Sequence, residues 1–366
     1  MAVKKDEKTK KWYFYGRYKD FDGEIHQYKK RGFDTKSQAK IAESEFLKEL
    51  DENKKGKVKF KVIYEEYFKY QKQQTKESSY VSLSNRSDKH ILPFFKDLYV
   101  DEIKPAHVRK WKDEMNKKGL SLAYRKDIFT ALQTIMNYGA RYYPVNTIAV
   151  IAEGTFKEPS KDTKEMDFWT LEEFNKFDEV VDDLEYKTFY NFLYWTGCRR
   201  GEAQALNWND FSDGFKTVSI SKSVTHKVPG KLYIIQTTKT KNSVRTISIP
   251  NRLILLLEQL YEEDKQIDGF TDNCFVFGFN RPLTDTTIER KKNDYCKAAE
   301  VKQIRIHDFR HSHASYLINN MPNDKNIVLA ISKRLGHSSP TTTLSIYAHM
   351  MPEQEDMILD MLNKNA

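Results

Sequence analysis

The sequence has 366 residues, which is enough for two or three domains of ordinary size. Its net charge of +9 and pI near 9.0 favour a polyanionic partner, although many proteins reach a similar pI. The three cysteines are widely spaced and lack a C-x-x-C motif, which argues against a disulfide framework and a zinc site. We find no signal-peptide core and no run of the about 18 apolar residues that span a membrane, so we expect a cytoplasmic protein.

Residues 1–55 are predicted to form a small module of strands and one helix. Side chains alternate with strand periodicity over residues 12–17, and Asp22-Gly23 is typical of a tight turn before a second strand over residues 24–33. Residues 1–31 carry ten Lys and Arg against five Asp and Glu. This excess suits either a DNA-binding sheet or an ordinary solvated surface.

The helix of this module is predicted to begin after Thr35. Thr35 and Gln38 have the spacing of a capping box, in which each side chain accepts a hydrogen bond from the backbone of the other residue. Its apolar positions include Ala39, Ile41 and Phe46. The polar segment 51–59 then reads as a linker to a second domain.

The second domain, residues 60–150, is predicted to contain four helices. The second helix precedes Pro93, and the third opens near Pro105, where a proline is tolerated in the first turn. The fourth covers residues 122–142. The first has apolar residues at three- and four-residue spacing, namely Phe60, Ile63, Tyr64, Tyr67 and Phe68.

A loop-like stretch over residues 143–164 separates this domain from a third, residues 165–366. The third domain begins at another capping-box spacing, Thr170 and Glu173. Its predicted structure is mainly helical, with a small antiparallel sheet. Three runs are predicted as strands: Thr217–Ser221, Leu232–Gln236 and Arg245–Pro250.

Four segments of the third domain carry chemically active side chains. They are, in chain order, TGCRRGEAQALNW from Thr196, TKTKNSVRTISIP from Thr238, HDFRHSHAS from His307 and LGHSSPTTTLSIYAHM from Leu335. Any one of these side chains, considered alone, would most often be an ordinary solvent-exposed residue or part of the core. The order and spacing of the whole set carry the prediction.

The set supplies what cleavage of a phosphodiester by a side chain requires. A nucleophile must attack phosphorus, the charge that develops on the nonbridging oxygens must be stabilised, and the leaving oxygen must gain a proton. Arginine holds phosphate through two parallel hydrogen bonds, whereas histidine and lysine transfer protons. Tyrosine becomes a nucleophile when neighbouring cations favour its phenolate. The segments contain no carboxylate cluster that would hold catalytic metals.

All four segments resemble the conserved boxes of the tyrosine recombinase (phage integrase) family, in the family's order and over about 150 residues. The first 150 residues are similar, in element order, to the longer lambda-type members of phages and conjugative transposons. The resemblance implies a multidomain α+β protein. It would comprise an arm-site binding domain (1–55), a helical core-site binding domain (60–150) and a catalytic domain (165–366).

The resemblance also implies which residues hold the phosphate. Arg199 and Arg310 would clamp the scissile phosphate, and His337 would hydrogen-bond one of its oxygens. Glu202 would brace the site, or would be a solvated helix carboxylate. The residues alone leave both roles open.

The remaining implied roles concern proton transfer and attack. Tyr347 would form the 3′-phosphotyrosyl link, and His307 would act in proton transfer. Lys239 would protonate the leaving 5′-oxygen, although the hairpin register leaves Lys241 as the alternative. The bond energy is conserved in the phosphotyrosine, so the implied reaction needs no ATP, metal or other cofactor.

The implied partners are double-stranded DNA at core and arm-type sites and three further copies of the chain in a tetramer on DNA, with no membrane partner. The two carboxy-terminal domains would form a C-shaped clamp around the duplex. In the amino-terminal module, Lys11, Tyr13 and Arg17 are the candidate DNA contacts. The resemblance leaves room for an accessory excision or DNA-bending factor. It leaves open the target sequence and whether the element is a phage or a transposon.

Two other functions remain compatible with the sequence. A type IB topoisomerase-like relaxase shares the chemistry but lacks an arm-type domain, and a DNA-binding regulator would have lost catalysis.

The carboxy-terminal tail leaves one more question open, namely where its apolar face docks. Its apolar residues Met357, Ile358, Met361 and Leu362 fall on one helical face, which would dock on a neighbouring protomer or fold back on its own domain.

Overall fold

The computed structural model divides the chain into two compact units, Met1–Lys161 and Asp162–Ala366. Within the described residues, no helix is both long and apolar enough to cross a membrane. The structure describes residues 2–7, 9–19, 25–54, 58–143, 145, 147–158, 167–226, 228–237, 244–321, 326–337 and 339–347.

The first unit begins with an antiparallel sheet covered on one face by a helix. Strands β1 (Ala2–Lys5), β2 (Trp12–Lys19) and β3 (Ile25–Phe33) are arranged in the order β1-β2-β3, and α1 (Lys36–Lys54) follows. Phe14 on β2 is fully buried, and its ring lies 6.1 Å from that of Phe46 on α1. The residues that alternate with Phe14 therefore lie on the opposite, uncovered face of the sheet.

The capping box predicted for α1 is confirmed, since Gln38 N–H donates to Thr35 Oγ1 (3.1 Å) and Thr35 N–H donates to Gln38 Oε1 (3.2 Å). Three details of this module were wrong. Ile41 is 57% exposed rather than packed, β1 was missed, and α1 continues through the start of the predicted 51–59 linker. The predicted Asp22-Gly23 turn lies outside the described residues.

The rest of the first unit is helical. The five apolar residues predicted along its first helix are all buried, and the Trp111 indole N–H donates to the carbonyl oxygen of His90 (2.8 Å) across the core. The helices are α2 (Phe60–Gln74), α3 (Glu77–His90), α4 (Leu92–Phe95), α5 (Pro105–Lys117), α6 (Leu122–Gly139) and α7 (Ile148–Glu153).

Four helices were predicted for this domain, and the structure adds two short ones, α4 and α7. Pro93 lies inside the short α4, and α7 occupies part of the stretch that was predicted to be a loop. The chain after α7 is held to the unit, because Lys112 Nζ donates to the carbonyl oxygens of Glu153 (2.9 Å) and Gly154 (3.1 Å). Phe156 is 2% exposed and packs in the core. Tertiary packing therefore orders a segment whose local sequence is loop-like.

The second unit has a large core of helices with two short strand pairs. The capping box that opens it is confirmed, since Glu173 N–H donates to Thr170 Oγ1 (3.2 Å) and Thr170 N–H donates to Glu173 Oε2 (2.9 Å). Its helices are α8 (Leu171–Val180), α9 (Leu184–Thr196), α10 (Arg200–Ala203), α11 (Asn251–Asp264), α12 (Asp285–Ala298), α13 (Asp308–Asn320), α14 (Ile327–Leu335) and α15 (Pro340–Tyr347).

The strands of this unit form two antiparallel pairs rather than one sheet of three predicted runs. Strand β4 (Thr217–Ile220) pairs with β7 (Arg245–Ser248), and β5 (Lys222–Thr225) pairs with β6 (Ile234–Thr237). The prediction missed β5, which follows β4 after a single residue. The pairing of β4 with β7 brings Arg245 beside the turn that follows α9.

Candidate active site

The site is built around the turn that ends α9. Gly197 stops the helix in the left-handed conformation (φ 67°), and its N–H donates to the carbonyl oxygen of Leu193 (3.0 Å). A Cβ at this position would lie 2.5 Å from Leu335 Cδ2 and 2.7 Å from His313 Cδ2. Glycine therefore lets α13 and α14 approach the turn closely, and the chain continues directly into Arg199.

Glu202 joins two arginines from different parts of the unit. Its Oε1 accepts from Arg199 Nη1 (2.8 Å), and its Oε2 accepts from Arg245 Nη2 (2.8 Å) and from the backbone N–H of Arg199 (3.0 Å). Burial by itself would raise the pKa of Glu202, but the hydrogen bonds and charges of Arg245 and Arg199 outweigh it and hold the pKa below its usual range. Glu202 is thus a buried brace, and the solvated alternative is wrong.

Arg310 lies beside the same turn. It is 3% exposed, and its Nη1 donates to the carbonyl oxygen of Gly197 (2.9 Å). Its Nη2 is buried and has no hydrogen-bond partner among the described residues. Burial and the charge of Arg199 lower the pKa of Arg310 to about 9, although Glu202 raises it. The guanidinium stays charged at neutral pH, and one of its donors has no acceptor within the described part of the chain.

His307 immediately precedes α13, one turn ahead of Arg310. Burial, His311 and Arg310 lower the pKa of His307 to about 4, so its imidazole is neutral at pH 7. The rings of His307 and His311 lie 5.2 Å apart in an edge-to-face arrangement. The neighbouring Asp308 is bound to Arg305 (2.7 Å) and opposes the fall of this pKa.

His337 enters the site from the turn after α14. Gly336 ends that helix in the left-handed conformation (φ 69°), and the N–H of His337 donates to the carbonyl oxygen of Ser332 (3.0 Å). Nδ1 of His337 lies 2.7 Å from Oγ1 of Thr343, a residue of α15. Burial, Arg310 and Arg199 lower the pKa of His337 to about 4, so this imidazole is neutral as well.

The residues of this site lie within a region that matches a known protein family. The family model described as the phage integrase family matches residues 164–354, more than half of the chain. The chain belongs to the phage integrase family. An arm DNA-binding domain model matches residues 2–50, and the model of the phage integrase N-terminal SAM-like domain matches residues 59–116. The predicted function is confirmed at this level: the protein is a site-specific tyrosine recombinase.

Relatives of similar length support the assignment. The ICEBs1 integrase of Bacillus subtilis (strain 168) is 28% identical over 347 residues, which cover 90% of each chain. The prophage ps2 probable integrase of Lactococcus lactis subsp. lactis (strain IL1403) is 24% identical over 349 residues, 89% of each chain. This integrase is therefore similar to both over nearly its whole length.

Solved structures share the fold. The Tn1549 transposon integrase in complex with circular intermediate DNA has 19% identity and a TM-score of 0.65, covering 84% of this chain and 100% of that one. The lambda integrase tetramer bound to a Holliday junction has 16% identity and a TM-score of 0.55, covering 93% of this chain and 96% of that one. The predicted fold class, with a small sheet, a helical domain and a mixed domain, is confirmed.

The structure brings together four of the six predicted catalytic residues of this integrase. Arg199 and Arg310 both lower the pKa of His307 and of His337, which places the four in one electrostatic cluster. Tyr347 is the last residue of α15, whose earlier residue Thr343 contacts His337.

The remaining predicted residues are not brought to this cluster by the described structure. Lys239 and Lys241 lie outside the described residues, as does the tail with its apolar face. The candidate arm-site residues belong to the first unit. Tyr13 and Arg17 lie on strand β2, whereas Lys11 precedes it and forms an ion pair with Asp34 (3.1 Å).

The sequence analysis did not predict that Arg245 and Arg334 support this cluster. Arg245 Nε donates to the carbonyl oxygen of Arg334 (2.8 Å). Arg334 in turn donates to His313 Nε2 (3.0 Å) and to the carbonyl oxygen of Trp195 (3.0 Å). Arg245 lies inside the second quoted segment and Arg334 immediately precedes the fourth, so the cations in and next to these segments were the available signal. Their hydrogen bonds connect β7, α9, α13 and α14 to one another.

The lowered histidine pKa values predict acid sensitivity. His307, His313 and His337 stay neutral in the folded chain down to about pH 4, whereas in the unfolded chain they gain protons near pH 6.5. Burial lowers the pKa of His311 as well. The unfolded state therefore binds more protons between pH 6.5 and 4, and stability falls as the pH falls through this window. Each group contributes up to about 1.4 kcal/mol per pH unit. Calorimetric melting of the full chain from pH 7.5 to 4.5 measures the slope.

Among the described residues, Glu185 and Asp264 oppose this trend, because burial raises the pKa of both carboxyls. Burial raises the pKa of Glu185 to about 7, so its contribution is present below its unfolded pKa and is lost as the pH rises towards 7. The four buried histidines outnumber these two carboxyls. His311→Gln should make the melting temperature less dependent on pH, because it removes one of the histidines whose pKa is lowered by burial. A melting temperature that is constant between pH 6.5 and 4.5 would contradict the assignment.

Proposed function

We propose that Tyr347 cleaves and rejoins DNA through a 3′-phosphotyrosyl intermediate, with the scissile phosphate bound between Arg199 and Arg310. The observation that carries this proposal is the buried Nη2 of Arg310, a charged donor without an acceptor among the described residues. A buried donor of this kind carries a desolvation cost that an incoming acceptor removes. A phosphate oxygen is the acceptor that suits a guanidinium best.

The charge of the site supports an anionic ligand. Arg199, Arg245 and Arg310 all interact with Glu202, which leaves the cluster with more positive than negative charge. The lowered pKa of Arg310 reflects that imbalance together with burial. A phosphodiester brings one negative charge into this environment, and further negative charge develops as the nucleophile attacks. The cluster therefore favours the transition state more than the free phosphate.

The proposed reaction balances without an external energy source. The Tyr347 oxygen attacks phosphorus, the bond from phosphorus to the 5′-oxygen breaks, and the leaving oxygen takes a proton from Lys239 or, in the other hairpin register, Lys241. His307, whose imidazole is neutral at pH 7, takes the tyrosine proton, and the negative charge that the phosphate brings next to it favours the protonated ring. His337 donates to a nonbridging oxygen. Attack on the phosphotyrosine by a 5′-hydroxyl from the partner DNA reverses these steps, so we expect no need for ATP or metal.

We assign the remaining parts of the chain to DNA recognition and assembly. Residues 1–55 would bind arm-type sites, residues 60–150 and 165–366 would clamp a core site, and four protomers would assemble on two sites. The match to an arm DNA-binding domain and the whole-length similarity to integrases support this division. The Tn1549 and lambda proteins were solved with DNA, which supports the same partner here.

The uncovered face of the amino-terminal sheet is the proposed arm-site surface. Tyr13 pairs with Arg31, and Tyr15 pairs with Lys29, so that aromatic rings alternate with cations across β2 and β3. Lys29 Nζ lies 4.6 Å from the centroid of the Tyr13 ring. Arg17 extends the same face. Cations on such a face meet phosphates, and a sheet can enter the major groove of DNA.

Removal of the nucleophile gives the first test of this function. Tyr347→Phe lacks only the phenolic oxygen, so it should form no covalent adduct while binding DNA with nearly wild-type affinity. The substrate is a nicked duplex built from the inverted core repeats that flank the gene, resolved on a denaturing gel. Arg310→Ala should also slow adduct formation, by about 10²-fold or more. An adduct that persists in Tyr347→Phe would identify a different nucleophile.

The general acid is tested with a substrate that does not need one. Lys239→Ala should slow cleavage strongly when the leaving atom is the normal 5′-oxygen. The same variant should cleave a 5′-bridging phosphorothiolate at close to the wild-type rate, because sulfur departs without a proton. Lys241→Ala is the matched control two residues away. Rescue of Lys241→Ala instead would move the assignment to that lysine.

Arm-site binding is tested by its dependence on salt. Lys29→Ala should weaken binding to duplexes from the DNA beside the gene and lower the slope of log affinity against log salt by about 1. Lys40→Ala removes an exposed cation from α1 rather than from the uncovered sheet face, so it should leave the slope unchanged. Fluorescence anisotropy from low to high salt measures both variants. Equal slopes for the two variants would show that the sheet face does not bind DNA.

A further inference from the structure

Thr343 is a buried polar residue with one defined hydrogen-bond partner. It is fully buried on α15, whereas Thr341 and Leu344 of the same helix are exposed. Its hydroxyl lies 2.7 Å from Nδ1 of His337. A buried hydroxyl without a partner would cost free energy, and this contact satisfies it. The same hydrogen bond joins α15 to the turn after α14.

The hydrogen bond has a chemical consequence for the ring of His337. A neutral imidazole has one nitrogen that donates and one that accepts, and the partner of one nitrogen sets the role of the other. Nδ1 faces Thr343, so Nε2 is the nitrogen that would meet the phosphate. Phosphate oxygens only accept hydrogen bonds, and Nε2 therefore has to carry the hydrogen.

We propose that Thr343 is a positioning residue whose hydroxyl donates to Nδ1 of His337 and so holds the hydrogen of that ring on Nε2, directed at the phosphate. The inference rests on the proposed role of His337 in binding the phosphate. Thr343 does not touch DNA in this scheme. It acts through the histidine, as the groups that orient a metal-binding or catalytic histidine do elsewhere.

Two features of the structure make this role effective. Burial and the charges of Arg310 and Arg199 keep the His337 ring neutral at pH 7, so its tautomer matters. A protonated ring would donate from both nitrogens, so there would be no choice of tautomer for Thr343 to influence. Thr343 also lies four residues before Tyr347, about one helical turn away on α15. The residue that orients the histidine thus belongs to the helix that carries the nucleophile.

A direct test measures the tautomer in the full-length protein without DNA. Histidine labelled with ¹⁵N distinguishes a nitrogen that carries hydrogen from one that does not, and a His337→Gln sample assigns the signal. We expect His337 at pH 7.5 to have its hydrogen on Nε2 in the wild type and to become a mixture of tautomers in Thr343→Val. Hydrogen on Nδ1 in the wild type would overturn the proposal. This readout is independent of whether Tyr347 is the nucleophile.

The second test measures cleavage by the variants. Thr343→Val keeps the shape of the side chain but loses the hydroxyl, and it should slow adduct formation on the nicked core duplex by about 10- to 100-fold. Thr343→Ser restores the hydroxyl and should recover most of the rate. Thr341→Val, an exposed threonine of the same helix, is the matched control and should cleave like the wild type. Failure of Thr343→Ser to recover the rate would contradict the proposal.

A double-mutant cycle separates this role from a merely structural one. If Thr343 acts through His337, Thr343→Val should add little to the defect of His337→Ala, because the ring that it orients is already absent. Multiplicative losses would mean that Thr343 only supports the fold of α15, and the proposal would fail. Binding of the core duplex, measured alongside, should stay unchanged in Thr343→Val, because Thr343 does not touch DNA in this scheme.

Discussion

The pairing of one buried carboxylate with two arginines is the interaction on which the site depends. Glu202 binds Arg199 and Arg245, whose own repulsion would otherwise oppose their approach to Arg310. Removing one partner from such a buried group leaves an uncompensated charge, which typically costs about 3–5 kcal/mol. Glu202 neutralises only part of the cluster, however. The positive charge that remains is what makes this site suited to a phosphate.

The arginines are held by backbone oxygens as well as by charge. Arg310 donates to the carbonyl of Gly197, and Arg245 donates to that of Arg334. These carbonyls belong to helix ends, where backbone oxygens lack helical partners and cations are favoured. The same contacts satisfy the helix ends and fix the guanidinium planes. Preorganised donors need not reorient when charge develops on a bound phosphate, which suits them to the catalytic role proposed for this site.

The sequence predicted those parts of the structure that depend on neighbouring residues. The capping boxes at Thr35 and Thr170 and the apolar period from Phe60 act over a few positions, and all three were confirmed. The loop prediction failed at α7 because packing of Phe156, and not local propensity, orders that stretch. The supporting role of Arg245 depends on the pairing of β4 with β7, which joins distant segments that the local pattern does not connect.

The two proposed DNA surfaces rest on different physics. Cations on the uncovered sheet face, such as Lys29, are exposed, so salt screens them within about 10 Å and releases their hold on phosphate. Arg310 is 3% exposed, and salt screens a buried charge much less than an exposed one. Exposed charge therefore suits reversible capture of DNA, whereas buried charge suits stabilising a transition state. If both proposed surfaces act as assigned, their separation would let the protein bind its sites reversibly during assembly and still hold the reacting phosphate firmly.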